Sequence, residues 1–203
     1  DEDSITMAVE ASRDCLTSHK PEDVRNIYFA STTHPFKDRQ NAGVIGTALS
    51  IEQNLSASDV SGSLKAGTSA LMAGLNASRD GAPSLVAAAD KRLARVASAN
   101  ELNYGDGAAA LLIASEEAVK KYGLSPIARI VATQCAGVPP RIMGIGPAPA
   151  TQKVLALTGL KLEQIDVMAI ALQCCDSLLG HCGIETLGVG MRNDHEKTHE
   201  DAR

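Results

Sequence analysis

Cys174, Cys175, His181 and Cys182 are the densest group of reactive side chains in this sequence, and Cys15 and Cys135 stand apart from it. A thiolate can serve as a nucleophile or as a soft metal ligand. Zinc asks for paired Cys-x-x-Cys or Cys/His clusters, and two adjacent cysteines ligate one ion poorly, so no metal site is expected. Five cysteines, an odd number without small-scaffold spacing, argue against a disulfide framework, and reduced thiols are expected. His34 precedes Pro35 in a loop and reads as solvent-exposed, although a histidine beside a carbonyl could act as acid or base near neutral pH. Ser63 reads as the cap of a helix starting near Lys65 rather than as a nucleophile. His195 and His199 are four apart in RNDHEKTHEDAR, a charged stretch without apolar period that reads as a solvated tail.

The elements that must carry these residues follow from periodicity. Residues 3–17 space their apolar side chains for one helical face behind Asp3 or Ser4 as N-cap. Asn26–Ser31 is a short apolar run rich in strand formers, residues 40–50 return to helical spacing, Ser58–Gly62 can form a short strand, and Gly67–Ser78 is helical. Ser84–Ala89 and Ala108–Ala114 are continuous apolar runs of strand length, the pattern of strands buried on both faces. SEEAVKKYG from Ser115 is a helix, with Glu116 and Glu117 in its first turn, Lys120 and Lys121 near its end, and Gly123 to stop it. Pro126–Cys135 alternates like a strand, Pro147–Gly159 opens with prolines and continues as a helix, and Ile165–Ala171 is a further strand. Strands alternating with helices predict parallel pairing in an α/β layered fold, because parallel strands need crossover connections.

Bulk properties remove several functional classes. A formal charge of −5 argues against a nucleic-acid binder, which needs a basic face to displace counterions. No apolar run reaches the length of a bilayer span and no basic-then-apolar leader opens the chain, so a cytoplasmic protein is expected, with no membrane partner. Hydrophobic residues make up 44% of the 203 positions and aromatics only 2%, so the core must be built from Ala, Val, Leu and Ile.

The run DVSGSLKAGTSALMAGL from Asp59 resembles the nucleophile turn of hydroxymethylglutaryl-CoA synthases and ketoacyl synthase III enzymes. In those families a strand ends in a tight turn that carries a cysteine, and Gly-Thr opens the following helix, as Gly67 and Thr68 do here. The resemblance extends through EDSITMAVEA, YFASTTHPFKDRQNAG, LVAAAD and NYGDGAAALLIA. Residues 108–170, with EEAVKKYGL and PRIMGIGPAPA, look instead like the centre of a degradative thiolase. Both branches belong to the thiolase superfamily, so the resemblance implies a thiolase-like layered αβαβα fold, incomplete relative to the family. It divides the chain into an N-terminal half, residues 1–114, and a shortened C-terminal half, residues 115–203.

The same resemblance implies an acyl-CoA chemistry whose machinery is partly replaced. A condensing enzyme of this kind holds the acyl group as a thioester on a cysteine, and the matching position here is Leu64, which cannot be acylated. The glutamate base of the synthases falls near Thr32. Leu179-Gly180-His181 resembles the start of the thiolase Gly-His-Pro segment, which makes His181 a candidate catalytic residue and Cys182, standing where the family has proline, its neighbour. The second, proton-shuttling cysteine maps to Gly188, and the segment expected to carry an oxyanion-hole asparagine reads AIALQCCDSLL, with Gln173 nearby. Lys65 and Arg92 are the candidates to bind the phosphates of a coenzyme A thioester, with Arg79, Lys91 and Arg95 as further cations.

Three functions stay open on the sequence. The first is acyl transfer or Claisen-type condensation or cleavage, impaired or lost through Leu64. The second is a non-catalytic acyl-CoA-binding protein, a homo-oligomer or the support of a zinc-ribbon/OB-fold partner. The third is a cysteine-independent carbon–carbon lyase using an oxygen acid/base such as Tyr104. No cofactor beyond the coenzyme A thioester itself is expected.

Overall fold

The computed structural model describes residues 2–51, 54–63, 65–91, 107–165 and, for the backbone, 182–186. The chain forms two compact units, Asp1–Leu124 and Ser125–Arg203.

The first unit opens with α1 (Ser4–Cys15), fixed at its start by a reciprocal cap. Asp3 Oδ1 accepts the Thr6 N–H at 2.8 Å and Thr6 Oγ1 accepts the Asp3 N–H at 2.9 Å, satisfying two donors that a helix start would otherwise leave open. Ile5, Ala8 and Val9 then bury one stripe of the helix. The chain continues through β1 (Asn26–Ala30), α2 (Asn41–Ala48), β2 (Ser56–Val60), α3 (Ala66–Ala77), β3 (Ser84–Asp90), β4 (Gly107–Ile113) and α4 (Glu116–Tyr122). Ser50 carries a positive φ of 60° because it ends α2 in a Schellman motif, with the Ile51 N–H bonded to Gly46 O at 2.9 Å and the Ser50 N–H to Thr47 O at 3.0 Å.

The sheet runs β2-β1-β3-β4, parallel across β2, β1 and β3 and antiparallel between β3 and β4. From the central strand β1 the chain steps outward through α2 to β2, then back across β1 through α3 to β3. Right-handed crossovers in opposite directions place their helices on opposite faces. The packing follows that rule. Ile27 and Phe29 of β1 and Leu85, Ala87 and Ala89 of β3 meet α1 and α2 on one face. Tyr28, Ala30, Val86 and Ala88 meet Ala66, Ala70 and Leu71 of α3 on the other. Two glycines let the helices come this close: a Cβ on Gly74 would lie 2.5 Å from Val86 Cγ2, and one on Gly46 would lie 2.5 Å from Leu55 Cδ2.

The strands expected around residues 26–31, 84–89 and 108–114 are therefore neighbours in one mixed sheet, with α3 packed on it. Two expectations need correction. The apolar run of β4 is not buried on both faces: it is the last strand of the sheet among the described residues, and Leu111 remains 52% exposed. In the second unit, residues 126–133 are not a strand; β5 is Gln134–Val138, and Ile127 upstream is exposed. Alternation alone did not locate that strand, because pairing with β6 (Cys182–Thr186) decides which residues are ordered as a ladder. α5 (Pro147–Thr158) starts on proline and stops at Gly159 in the left-handed region, as expected, and Lys153 Nζ donates to Cys135 O at 3.0 Å. The strand expected at 165–171 lies outside the described residues beyond Ile165.

Candidate functional site

In an open α/β sheet, ligands bind outside the carboxyl ends of the parallel strands, where crossovers leave a strand in opposite directions. Here that place is the end of β1. The chain leaves the three parallel strands there as Ser31–His34 after β1, Ser61–Lys65 after β2, and Asp90–Lys91 at the end of β3.

The turn after β2 is the segment whose sequence resembles a nucleophile turn. Gly62, at φ 94°, adopts a backbone conformation that L side chains rarely take and so reverses the chain. Ser63 then receives two backbone donors: its carbonyl accepts the Ala66 N–H at 3.0 Å and its hydroxyl accepts the Lys65 N–H at 3.3 Å. Ser63 thus braces the turn ahead of α3 but is not the cap expected of it: the N-cap is Lys65, half-buried at the helix entrance, and α3 has no side-chain cap bond. Gly67 and Thr68 lie in the first turn of α3. Leu64 itself lies outside the described residues.

Asp59, near the end of β2, ties this strand to the next crossover. Its carboxylate accepts the Asn41 N–H at 2.8 Å, the Asn41 side-chain amide at 2.9 Å and the Ala42 N–H at 2.7 Å, placing an anion on the positive end of α2. Buried Asn41 passes the restraint on, bonding Phe36 N–H at 3.1 Å and Phe36 O at 3.0 Å. The loop between β1 and α2 is thereby held from beneath.

A second carboxylate, Asp90, organises the end of β1. One oxygen, Oδ1, accepts the Thr32 N–H at 2.6 Å, Ser31 Oγ at 3.0 Å, Thr32 Oγ1 at 3.1 Å and Thr33 Oγ1 at 3.2 Å. Thr33 closes the cluster by accepting the Lys91 N–H at 3.0 Å on its hydroxyl and Ser4 Oγ at 3.0 Å on its carbonyl. Sequence reasoning placed Thr32 near the family's glutamate base and missed Asp90. The available signal was an acidic residue ending an otherwise apolar strand beside a Ser-Thr-Thr turn. Four donors thus converge on one carboxylate oxygen.

His34 corrects an expectation. It is half-buried rather than solvent-exposed, its ring lies 5.0 Å from that of Phe29, and its Nε2 is buried without a hydrogen-bond partner among the described residues. Its ring packs against Phe29 of β1, a contact that a following proline does not reveal. Of the other sequence-derived candidates, Arg92 and His181 lie outside the described residues, as do Gly188 and Tyr104. Cys182 is placed only as the first residue of β6. Cys15 is half-buried at the end of α1, and burial pushes its thiol up from the usual range. Among the described residues no group of three or more His, Cys, Asp or Glu is arranged to hold a metal, and no helix is long and apolar enough to cross a membrane.

Comparison with known proteins meets this architecture from both ends. Residues 124–178 match the family "Thiolase, C-terminal domain". The 3-oxoadipyl-CoA/3-oxo-5,6-dehydrosuberyl-CoA thiolase of Escherichia coli strain K12 is 49% identical over 75 residues, 37% of this chain and 19% of that protein. The acetyl-CoA acetyltransferase of the same strain is 51% identical over 73 residues, 36% of this chain and 18% of that protein. Among solved structures, PksG, an HMG-CoA synthase from Bacillus, superposes with a TM-score of 0.66 at 16% identity, covering 81% of this chain and 44% of that one. The 3-oxoacyl-[acyl-carrier-protein] synthase III of Aquifex aeolicus VF5 gives 0.64 at 20% identity, covering 81% and 60%. Residues 124–178 are thus similar to the C-terminal domain of thiolases, and the chain shares the fold of the HMG-CoA synthase and synthase III structures. It is α/β with a thiolase-like fold, and its matches span about a fifth of the length of these curated relatives, 19% and 18%.

Proposed function

We propose that this chain binds an acyl-CoA thioester at the carboxyl edge of β1 and β2, as a protein of the acyl-transfer or Claisen-condensation class whose own turnover is impaired or absent. The observation that carries this reading is the strand–turn–helix unit from Asp59 to Ala77. It supplies a tight Gly62 turn and a helix opening with Gly67 and Thr68, and the sequence places Leu64 between them where the resembling families have cysteine. Leucine offers no nucleophile, so a covalent acyl-enzyme cannot form at that position. His181 and Cys182 are the further catalytic candidates by resemblance. Lys65, at the entrance of α3, and Arg92 are the residues proposed to meet coenzyme A phosphates. No cofactor besides the thioester is invoked, and the protein is proposed to work in the cytoplasm.

A non-catalytic role, as a homo-oligomer or beside a zinc-ribbon/OB-fold partner, is the second reading. The leucine at the nucleophile position favours it. Calorimetry with acetyl-CoA tests what both share. Saturable heat that weakens in Lys65→Ala and Arg92→Ala is expected, and absence of heat at millimolar ligand would overturn the binding role.

A further inference from the structure

Asp90 Oδ1 sits where the donors of Ser31, Thr32 and Thr33 converge. Ser31, Thr32 and Thr33 follow directly on the central parallel strand, at the place where this type of sheet receives ligands, and they turn one backbone N–H and three hydroxyls onto a single point. Hydroxyl and N–H donors that converge on one point can hold a carboxylate or phosphate oxygen. Here the point is filled by the chain's own carboxylate, delivered from β3, which pairs with β1 in parallel register up to Ala30↔Ala88. The Lys91 N–H on Thr33 Oγ1 holds the strand end against the turn and so keeps the carboxylate in place.

We propose that the Ser31–Thr33 turn is an anion-binding cradle kept closed by Asp90, and that Asp90 thereby excludes carboxylate- and phosphate-bearing ligand groups from this point of the sheet edge. The exclusion has two parts. The donors are already taken, and an incoming anion meets a like charge within hydrogen-bond distance of them. Combined with the acyl-CoA reading above, on which this second step rests, the ligands admitted here are thioesters of uncharged acyl groups rather than of dicarboxylic acids.

The cradle is tested without any thioester. Acetate and inorganic phosphate are titrated into the full chain and into Asp90→Ala, with the Thr32, Thr33 and Lys91 amides followed by NMR. Saturable shifts confined to these amides are expected in Asp90→Ala and not in the unsubstituted chain. Saturable binding by the unsubstituted chain, or a folded Asp90→Ala that does not respond, overturns the proposal. Asp90→Asn keeps the shape and an acceptor oxygen, so it serves if Asp90→Ala fails to fold. Its Thr32 amide should exchange with solvent about tenfold faster, the equivalent of losing a charge-assisted bond in favour of a neutral one, while Ile27 and Leu85 amides keep their rates. Unchanged Thr32 exchange in Asp90→Asn contradicts closure by the charge. The acyl preference is read separately, by comparing acetyl-CoA with succinyl-CoA binding. Failure of both thioesters to bind tells against the acyl-CoA reading and leaves the cradle result standing.

Discussion

Asp59 receives both the backbone N–H and the side-chain amide of Asn41, at 2.8 and 2.9 Å, so one carboxylate at the end of β2 fixes the start of the helix that leads into β2. Replacing it strands a buried amide and leaves two N–H groups at the helix start without their acceptor. Asp59→Ala should therefore cost about 2–4 kcal/mol, the range for leaving buried donors unmet at a helix terminus. Urea denaturation measures it, and a loss below about half a kcal/mol, typical of an unremarkable surface site, would contradict the assignment.

Gly74 faces Val86 across the interface of α3 and β3. A methyl group there needs the space that Val86 Cγ2 already occupies at 2.5 Å. Gly74→Ala is expected to lower stability by about 1–3 kcal/mol through overpacking, despite alanine's better helix propensity. Adding Val86→Ala should recover part of the loss. Thermal melts of the two single variants and the double variant test this coupling, and strict additivity would count against it.

The cap of α1 carries a pH signature. Hydrogen bonds from Thr6 hold the Asp3 carboxyl below its ordinary value of 3.8. A depressed folded pKa means that the stabilisation is present above the unfolded pKa and is lost as pH falls through the folded one. Asp3→Ala should be less stable near neutrality, by an amount reduced by solvent screening at this exposed site. The difference should shrink steadily below about pH 4, the ordinary carboxylate range. A gap that persists unchanged into strong acid contradicts a charge-dependent cap.

Much of the first unit was legible because its signals are local. Asp3 or Ser4 ahead of an apolar helical period marked the first helix, and the apolar runs at Asn26 and Ser84 marked two neighbouring strands. Gly67-Thr68 marked the helix after the turn. What could not be read depends on partners distant in sequence. The run Ala108–Ile113 looks the same whether its strand is central or last in a sheet, and only the antiparallel pairing with Ser84–Asp90 separates the cases. His34 reads as a loop residue until Phe29 is seen beneath it. Asp90 becomes conspicuous only when the end of β3 is brought beside Ser31–Thr33, nearly sixty positions earlier in the chain.

Cys15 provides an internal reference for reactivity. Burial raises its thiol, so little thiolate is available at neutral pH and alkylation should be slow. Leu64 precedes Lys65, the N-cap of α3, in sequence, and a helix N-terminus stabilises a nearby thiolate, so a thiol introduced by Leu64→Cys is expected to be activated. It should react with iodoacetamide several-fold faster than Cys15, on the basis of the fall in pKa expected at such positions. Equal rates would mean that the turn does not present residue 64 to the helix dipole.

The turn from Gly62 to Lys65 is proposed to be the acyl position, with Leu64 in place of its nucleophile. Intact-protein mass spectrometry after incubation with acetyl-CoA, followed by peptide mapping, tests it most directly. The unsubstituted chain should gain no acetyl group within residues 62–65, and Leu64→Cys should gain one there as a hydroxylamine-sensitive thioester, still without efficient turnover. Acetylation of the unsubstituted chain at this turn would contradict the assignment of the acyl position, as would a Leu64→Cys thiol that alkylates readily yet is never acetylated.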